Sequence, residues 1–234
     1  MRRAVSLQPE KMKMPQSKPC RNPKETRKGI TVSHNPENNY KLILAGEKRF
    51  ARRVIYQLRA QNPPPAWHNL IPFKFLFEYI RMRRAVQAFE QNAMVVRKCA
   101  LDAAMDLVKG KSPAVVRETM QAAIRKWLEK NGFYSDAMME KQMALAEAFG
   151  SHFESLLEAE GRDYETLVRQ VYRIPPKYQE FLDKIAEMEK ETDRLACEMS
   201  GPEENGFREC MERMKSKQTA YAGARKIEID RIYG

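Results

Sequence analysis

The sequence is short of the residues that build sheets, membrane spans and metal centres. Valine and isoleucine are sparse beside Leu, Ala, Met, Glu, Lys and Arg, and 234 residues include only ten glycines. That balance favours helix over strand. The longest apolar cluster, residues 70–80, is interrupted by Pro72, Lys74 and Glu78, so it is too short and too charged to cross a bilayer. The three histidines, His34, His68 and His152, fall in separate segments, and none has a glutamate three residues ahead of it. A helical di-metal pattern is therefore missing. Cys20, Cys99, Cys197 and Cys210 include no pair separated by two residues, which removes the usual thiolate metal knuckle.

Catalytic motifs are missing for similar reasons. Gly110-Lys111-Ser112 ends like a phosphate-binding loop, but Met105 stands where its first glycine is needed and the approach reads as helix. A helix terminator explains these residues better. No serine sits in a glycine-flanked elbow, and no cysteine has a recognisable partner. Carboxylates are plentiful over residues 130–212, mostly at helical surface positions; Glu187, Glu189 and Glu191 read as a solvated flank. A non-catalytic protein without cofactor or metal is expected.

The first seven residues hold no apolar run long enough for a secretory signal, and Pro9, Glu10 and Pro15 interrupt a presequence pattern. Reduced thiols and a cytoplasmic setting follow as the default. Cys197 and Cys210 each lie four residues outside the glycines that bound the 201–206 turn, so folding can bring them together. Small apolar packing is expected there in preference to a disulfide.

What the chain has in abundance is positive charge, unevenly placed. Residues 1–111 carry 23 Lys and Arg against 8 acidic residues, whereas residues 112–234 carry 19 against 23. A basic half joined to a mildly acidic half suits one surface for a polyanion and another for a protein partner or solvent. Residues 1–37 form an expected extended, disordered basic arm, with five prolines, nine Lys/Arg and little apolar surface.

Helical periods occupy the rest. Ile43, Phe50, Val54 and Leu58 mark an apolar face over residues 39–59, ended by Pro63-Pro64-Pro65. A long helix is expected from 72 or 73 to about 109, although strict aromatic alternation over 73–79 also fits a short strand. Gly110-Lys111 stops it; Ser112 and Pro113 then start a third helix that runs to Asn131-Gly132. Ser135-Asp136 caps a fourth, and Asp163 begins a shorter one terminated by Pro175-Pro176. From Tyr178 through Phe181, Ile185, Met188, Thr192, Leu195 and Met199 the spacing alternates between three and four, a coiled-coil seam. Phe207, Met211, Met214, Gln218 and Tyr221 resume it beyond the 201–206 break, which predicts an antiparallel hairpin. A dimeric coiled coil is the competing arrangement.

The expected fold is thus all-α: a basic arm (1–37), a helical bundle with a basic face (38–174) and a C-terminal helical hairpin (175–234). Two basic constellations stand out within the bundle: Lys48, Arg49, Arg52, Arg53 and Arg59, and then Arg81, Arg83, Arg84, Arg97 and Lys98. Arginine at this density repels itself unless something acidic neutralises it, and phosphate matches the guanidinium fork. Neutralisation by the acidic half of the same chain is the competing explanation. Phe73, Phe75, Phe77, Tyr79 and Phe89 interleave with the second cluster, but rings at a helix start more often belong to the core. The expectation is therefore backbone contact with DNA or RNA, without base readout, in a subunit of a nucleoprotein complex whose C-terminal helices meet a protein. The alternative is a helical adaptor whose basic face docks an acidic protein.

Overall fold

The computed structural model describes residues 35–61, 74–199 and 204–234; in the second and third segments side chains are described from residues 84 and 207 onward, except at 85 and 88. These residues form seven helices and no strand: α1 (Pro36–Gln61), α2 (Lys74–Val108), α3 (Pro113–Lys130), α4 (Asp136–Glu158), α5 (Tyr164–Tyr172), α6 (Pro175–Met199) and α7 (Glu204–Tyr233). The aromatic alternation after residue 73 is thus helical from Lys74 onward. The expected arm, apart from its last three residues, lies outside the described residues.

Local chemistry sets most helix ends. The Asn35 side chain accepts from the Glu37 and Asn38 amides at 3.0 and 3.2 Å and so starts α1. Gly110, at φ 82, takes the left-handed turn after α2, and Gly132, at φ 73, does the same after α3. Ser135 accepts from the Met138 amide at 3.1 Å, and Asp163 from that of Thr166 at 2.8 Å. Two readings need correction. Ser112 precedes α3 but makes no side-chain cap bond; Pro113 at the first helical position leaves one amide fewer to satisfy. Pro175-Pro176 does not terminate α5, which ends at Tyr172 with Arg173 at φ 57; Pro175 instead opens α6.

The bundle is organised around α4, which buries Met138, Leu145, Phe149, Phe153, Leu156 and Leu157 among other residues and packs against α1, α2, α3, α5 and α6. Its C-terminal carbonyls, which no intrahelical donor can reach, are met from α1: the Asn39 carboxamide donates to Leu157 and Ala159 at 3.0 and 2.7 Å. One core cluster runs from Ile43 on α1 through α2, α3, α4 and α5 to Tyr178, Leu182 and Ile185 on α6 and Ile232 on α7. The boundary expected at 174/175 therefore runs through a shared core.

Helices α6 and α7 form the antiparallel hairpin. As the partner on α6 steps back through Cys197, Asp193 and Glu189, the one on α7 advances through Cys210, Lys217 and Arg225. Cys197 and Cys210 are disulfide-bonded, with Cα atoms 5.6 Å apart, so the expectation of two reduced, packed thiols is overturned. The hairpin brought both residues to one level with facing Cβ vectors, which spacing alone cannot decide. Helix α7 packs on α1 as well as on α6, with Phe50 edge-on to Tyr221 at 5.7 Å. Among the described residues no helix is long and apolar enough to cross a membrane.

Candidate functional site

Where α1, α2, α6 and α7 meet, the core holds charge. Arg97 on α2 makes a short ion pair with Glu47 on α1 and a second, at 3.0 Å, with Glu189 on α6. The other oxygen of Glu189 takes Arg225 on α7 at 2.6 Å. The Arg97 guanidinium also lies over the rings of Phe50 and Phe149, at 4.9 and 4.5 Å. Burial opposes the charge on Arg97, but the Glu47 and Glu189 carboxylates outweigh it and raise its pKa.

A tyrosine chain extends this network. Tyr164 on α5 donates to Glu47 at 3.3 Å and lies 3.5 Å from the Tyr178 hydroxyl, which donates to Glu228 on α7 at 3.1 Å. Among the described residues Glu228 makes no ion pair, although the charges of Arg97 and Arg231 act on it. Burial, then the nearby Glu47 charge, push its carboxyl up to about 7. His152 on α4 lies against the same region, its ring 4.3 Å from that of Phe181 and its Nδ1 2.8 Å from the Tyr172 hydroxyl. Burial, and after it the positive charge of Arg97, push the imidazole down to about 3, so it stays neutral.

Between Glu47, His152, Arg225 and Glu228 there is no room for a substrate. The cavity between Glu47, Arg97, His152, Arg225 and Glu228 measures about 10 Å³, the space of about one water. The network can hold protons and fix helix register. Among the described residues no group of His, Cys, Asp and Glu has the geometry of a metal site.

The predicted basic residues whose side chains are described do not share one environment. Arg97 is the clearest correction: it was expected on a phosphate-binding surface and is instead 7% exposed inside the bundle. It falls between Ala93 and Ala100 at helical spacing on the inward face of α2, and two carboxylates meet it there. Arg49 pairs with Glu165 at 2.7 Å, a carboxylate shared with Arg231 at 3.1 Å. Arg52 pairs with Glu90 at 2.7 Å, and Lys98 with Asp102 at 2.5 Å. Arg53 is half-buried, and burial, then Arg231, lower its pKa. Lys48 and Arg59 are half-buried and Arg84 is exposed. The side chains of Arg81 and Arg83 lie outside the described residues, as do His34 and His68.

Three acidic residues escaped the sequence reading although each left a trace. Glu47 stands in the apolar series Ile43, Glu47, Phe50, Val54, and Glu228 in the series Tyr221, Ala224, Glu228, Ile232. Glu189 was assigned to a solvated flank, yet it follows Ile185 by four residues and precedes Thr192 by three. A carboxylate at a core position is the signal of a buried polar partner.

Compared with known proteins, the chain matches no family model, no curated protein and no solved structure.

Proposed function

We propose that this chain is a non-catalytic, nucleic-acid-backbone-binding helical subunit, with its polyanion contacts carried chiefly by the N-terminal basic segment and not by the arginines of α1. One observation carries the reading: the bundle supplies carboxylates to several of its own arginines. Arg49, Arg52, Arg97, Arg225 and Arg231 all meet carboxylates within the chain. Residues 1–34, in contrast, carry nine Lys/Arg against two acidic residues, which leaves 33 against 29 for the remaining 200. A segment with that charge and so little apolar surface favours phosphate, and each neutralised phosphate releases condensed counterions.

The protein partner of the C-terminal helices belongs to this reading too. Their inner faces pack on the bundle, so such a partner meets exposed positions of α7, among them Phe207 near its start and Ile227 near its end, which lie on different sides of the helix. A cytoplasmic site of action completes it, with the Cys197–Cys210 bond formed or open according to the thiol poise there.

Electrophoretic mobility shift with the full chain tests the proposal, using a mixed-sequence duplex, a single strand and poly-glutamate as competitor. Binding to both nucleic acids with little sequence preference, and weak competition by poly-glutamate, is the expected outcome. Equal competition by poly-glutamate favours the adaptor that docks an acidic protein, and no shift at low salt overturns the nucleic-acid reading.

A further inference from the structure

A cavity of about 250 Å³ lies between α2, α3, α4, α6 and α7, apart from the ion network except where Arg97 and Glu189 reach its wall. Trp127, Phe133, Met138 and Leu145 supply apolar surface. The charged groups on the wall cancel in pairs: Arg97 with Glu189 at 3.0 Å, and Lys217 with Asp193 at 2.6 Å. An ion entering here loses its water and finds no uncompensated counter-charge. Neutral ligands are favoured.

Gln142 supplies the polar specificity. It lines the cavity, is 8% exposed, and its Oε1 has no hydrogen-bond partner. Among the described residues its Nε2 reaches only the Met138 sulfur at 3.9 Å, a weak acceptor. A buried carboxamide with both ends so poorly met is costly to leave unpaired. What satisfies it is a group that offers a donor and an acceptor side by side. Size follows from volume: an apolar cavity of about 150 Å³ takes benzene, so this one takes a ligand of about ten ring atoms. Aromatic walls at Trp127 and Phe133 suit a flat ring face.

We propose that this cavity binds a neutral, planar, two-ring heterocycle whose adjacent N–H and C=O pair with the Gln142 carboxamide. The site does not rest on the polyanion reading, because the observations that carry it belong to residues 89–221.

Isothermal titration calorimetry on the full chain tests this with quinolin-2(1H)-one, a fused lactam of the required size, against its N-methyl derivative. Saturable 1:1 binding is expected for the lactam, weakened about tenfold by N-methylation and about tenfold by Gln142→Leu. Ala93→Phe, which fills the cavity, should abolish it. Should that variant lose its helical circular dichroism, Ala196→Leu at another wall position serves the same purpose. Absence of saturable binding up to about 1 mM lactam overturns the proposal. Binding indifferent to Gln142→Leu and to N-methylation overturns the amide pairing, and binding indifferent to the filling variants places the ligand elsewhere and overturns the site.

Discussion

Arg97 on α2 and Glu189 on α6 are 92 residues apart in the chain and joined by a 3.0 Å ion pair inside the bundle. Through them the basic N-terminal half is tied to the acidic C-terminal half, because Glu189 also holds Arg225 and Arg97 also holds Glu47. Removing one member of such a set strands the others. Arg97→Met leaves the Glu47 carboxylate buried beside the Tyr164 hydroxyl without its ion pair, and should cost about 3–5 kcal/mol in chemical denaturation. Arg52→Gln breaks an exposed pair with Glu90 and should cost at most about 1 kcal/mol. Equal losses in the two variants would mean that the buried network is not what fastens the helices.

The disulfide gives a second test. Cys197 and Cys210 enclose a short loop, 13 residues apart, and a loop of this size constrains the unfolded chain by about 3 kcal/mol. Reductant should lower the melting temperature of the native chain and leave a Cys197→Ala/Cys210→Ala variant unaffected. Alkylation of unfolded, unreduced protein should label two thiols fewer than after reduction.

Glu228 and His152 set opposing pH dependences. The folded pKa of Glu228, about 7, lies above its usual 4.5, so between these values the folded chain keeps a proton that the unfolded chain has released. Stability from this group is present below pH 4.5 and is lost as pH rises to 7. His152 is held down to about 3 from 6.5, so the unfolded chain binds the extra proton there, and its contribution is lost as pH falls through that window. Over their overlap, from 4.5 to 6.5, the two slopes cancel. Denaturation at a series of pH values should therefore show Glu228→Gln losing stability as pH falls below 6.5, more steeply than the native chain. An unchanged profile in that variant would contradict the raised Glu228 pKa.

Gly46 tests the contact between α1 and α5. A Cβ at this position would lie 2.6 Å from the Tyr164 ring, whose hydroxyl donates to Glu47. In an exposed helix Gly→Ala adds about 1 kcal/mol of stability. Here the clash should reverse the sign and destabilise by about 1–3 kcal/mol. A stabilised Gly46→Ala variant would show that α5 yields easily.

Much of the architecture was legible because apolar residues announce the face they bury. The seam from Tyr178 to Met199 predicted a hairpin, and the Gly110 and Gly132 breaks predicted where α2 and α3 stop. The same periodicity misplaced Arg97 and Glu189, since charge was read as exposure while long-range pairing was invisible. Both residues sit at core spacing, and only the folded chain shows that each is the reason the other can be buried. Pro175 misled differently: proline ends a helix only when it falls inside one, and at the first turn it begins one. The cysteine pair turned on side-chain direction across a turn, which a linear sequence does not contain.

The central claim is that polyanion affinity resides in residues 1–34 while the bundle arginines are spent on internal pairs. Its most direct measurement is the salt dependence of duplex binding, by fluorescence anisotropy, in two full-length variants. In one, the nine Lys/Arg of residues 1–34 become Gln; in the other, Arg49, Arg52 and Arg53 do. The account predicts a slope of log affinity against log salt of about −5 to −8 for the native chain, nearly abolished in the first variant and little changed in the second. A flattened slope in the Arg49/Arg52/Arg53 variant, with the nine-residue variant binding as the native chain does, would contradict it.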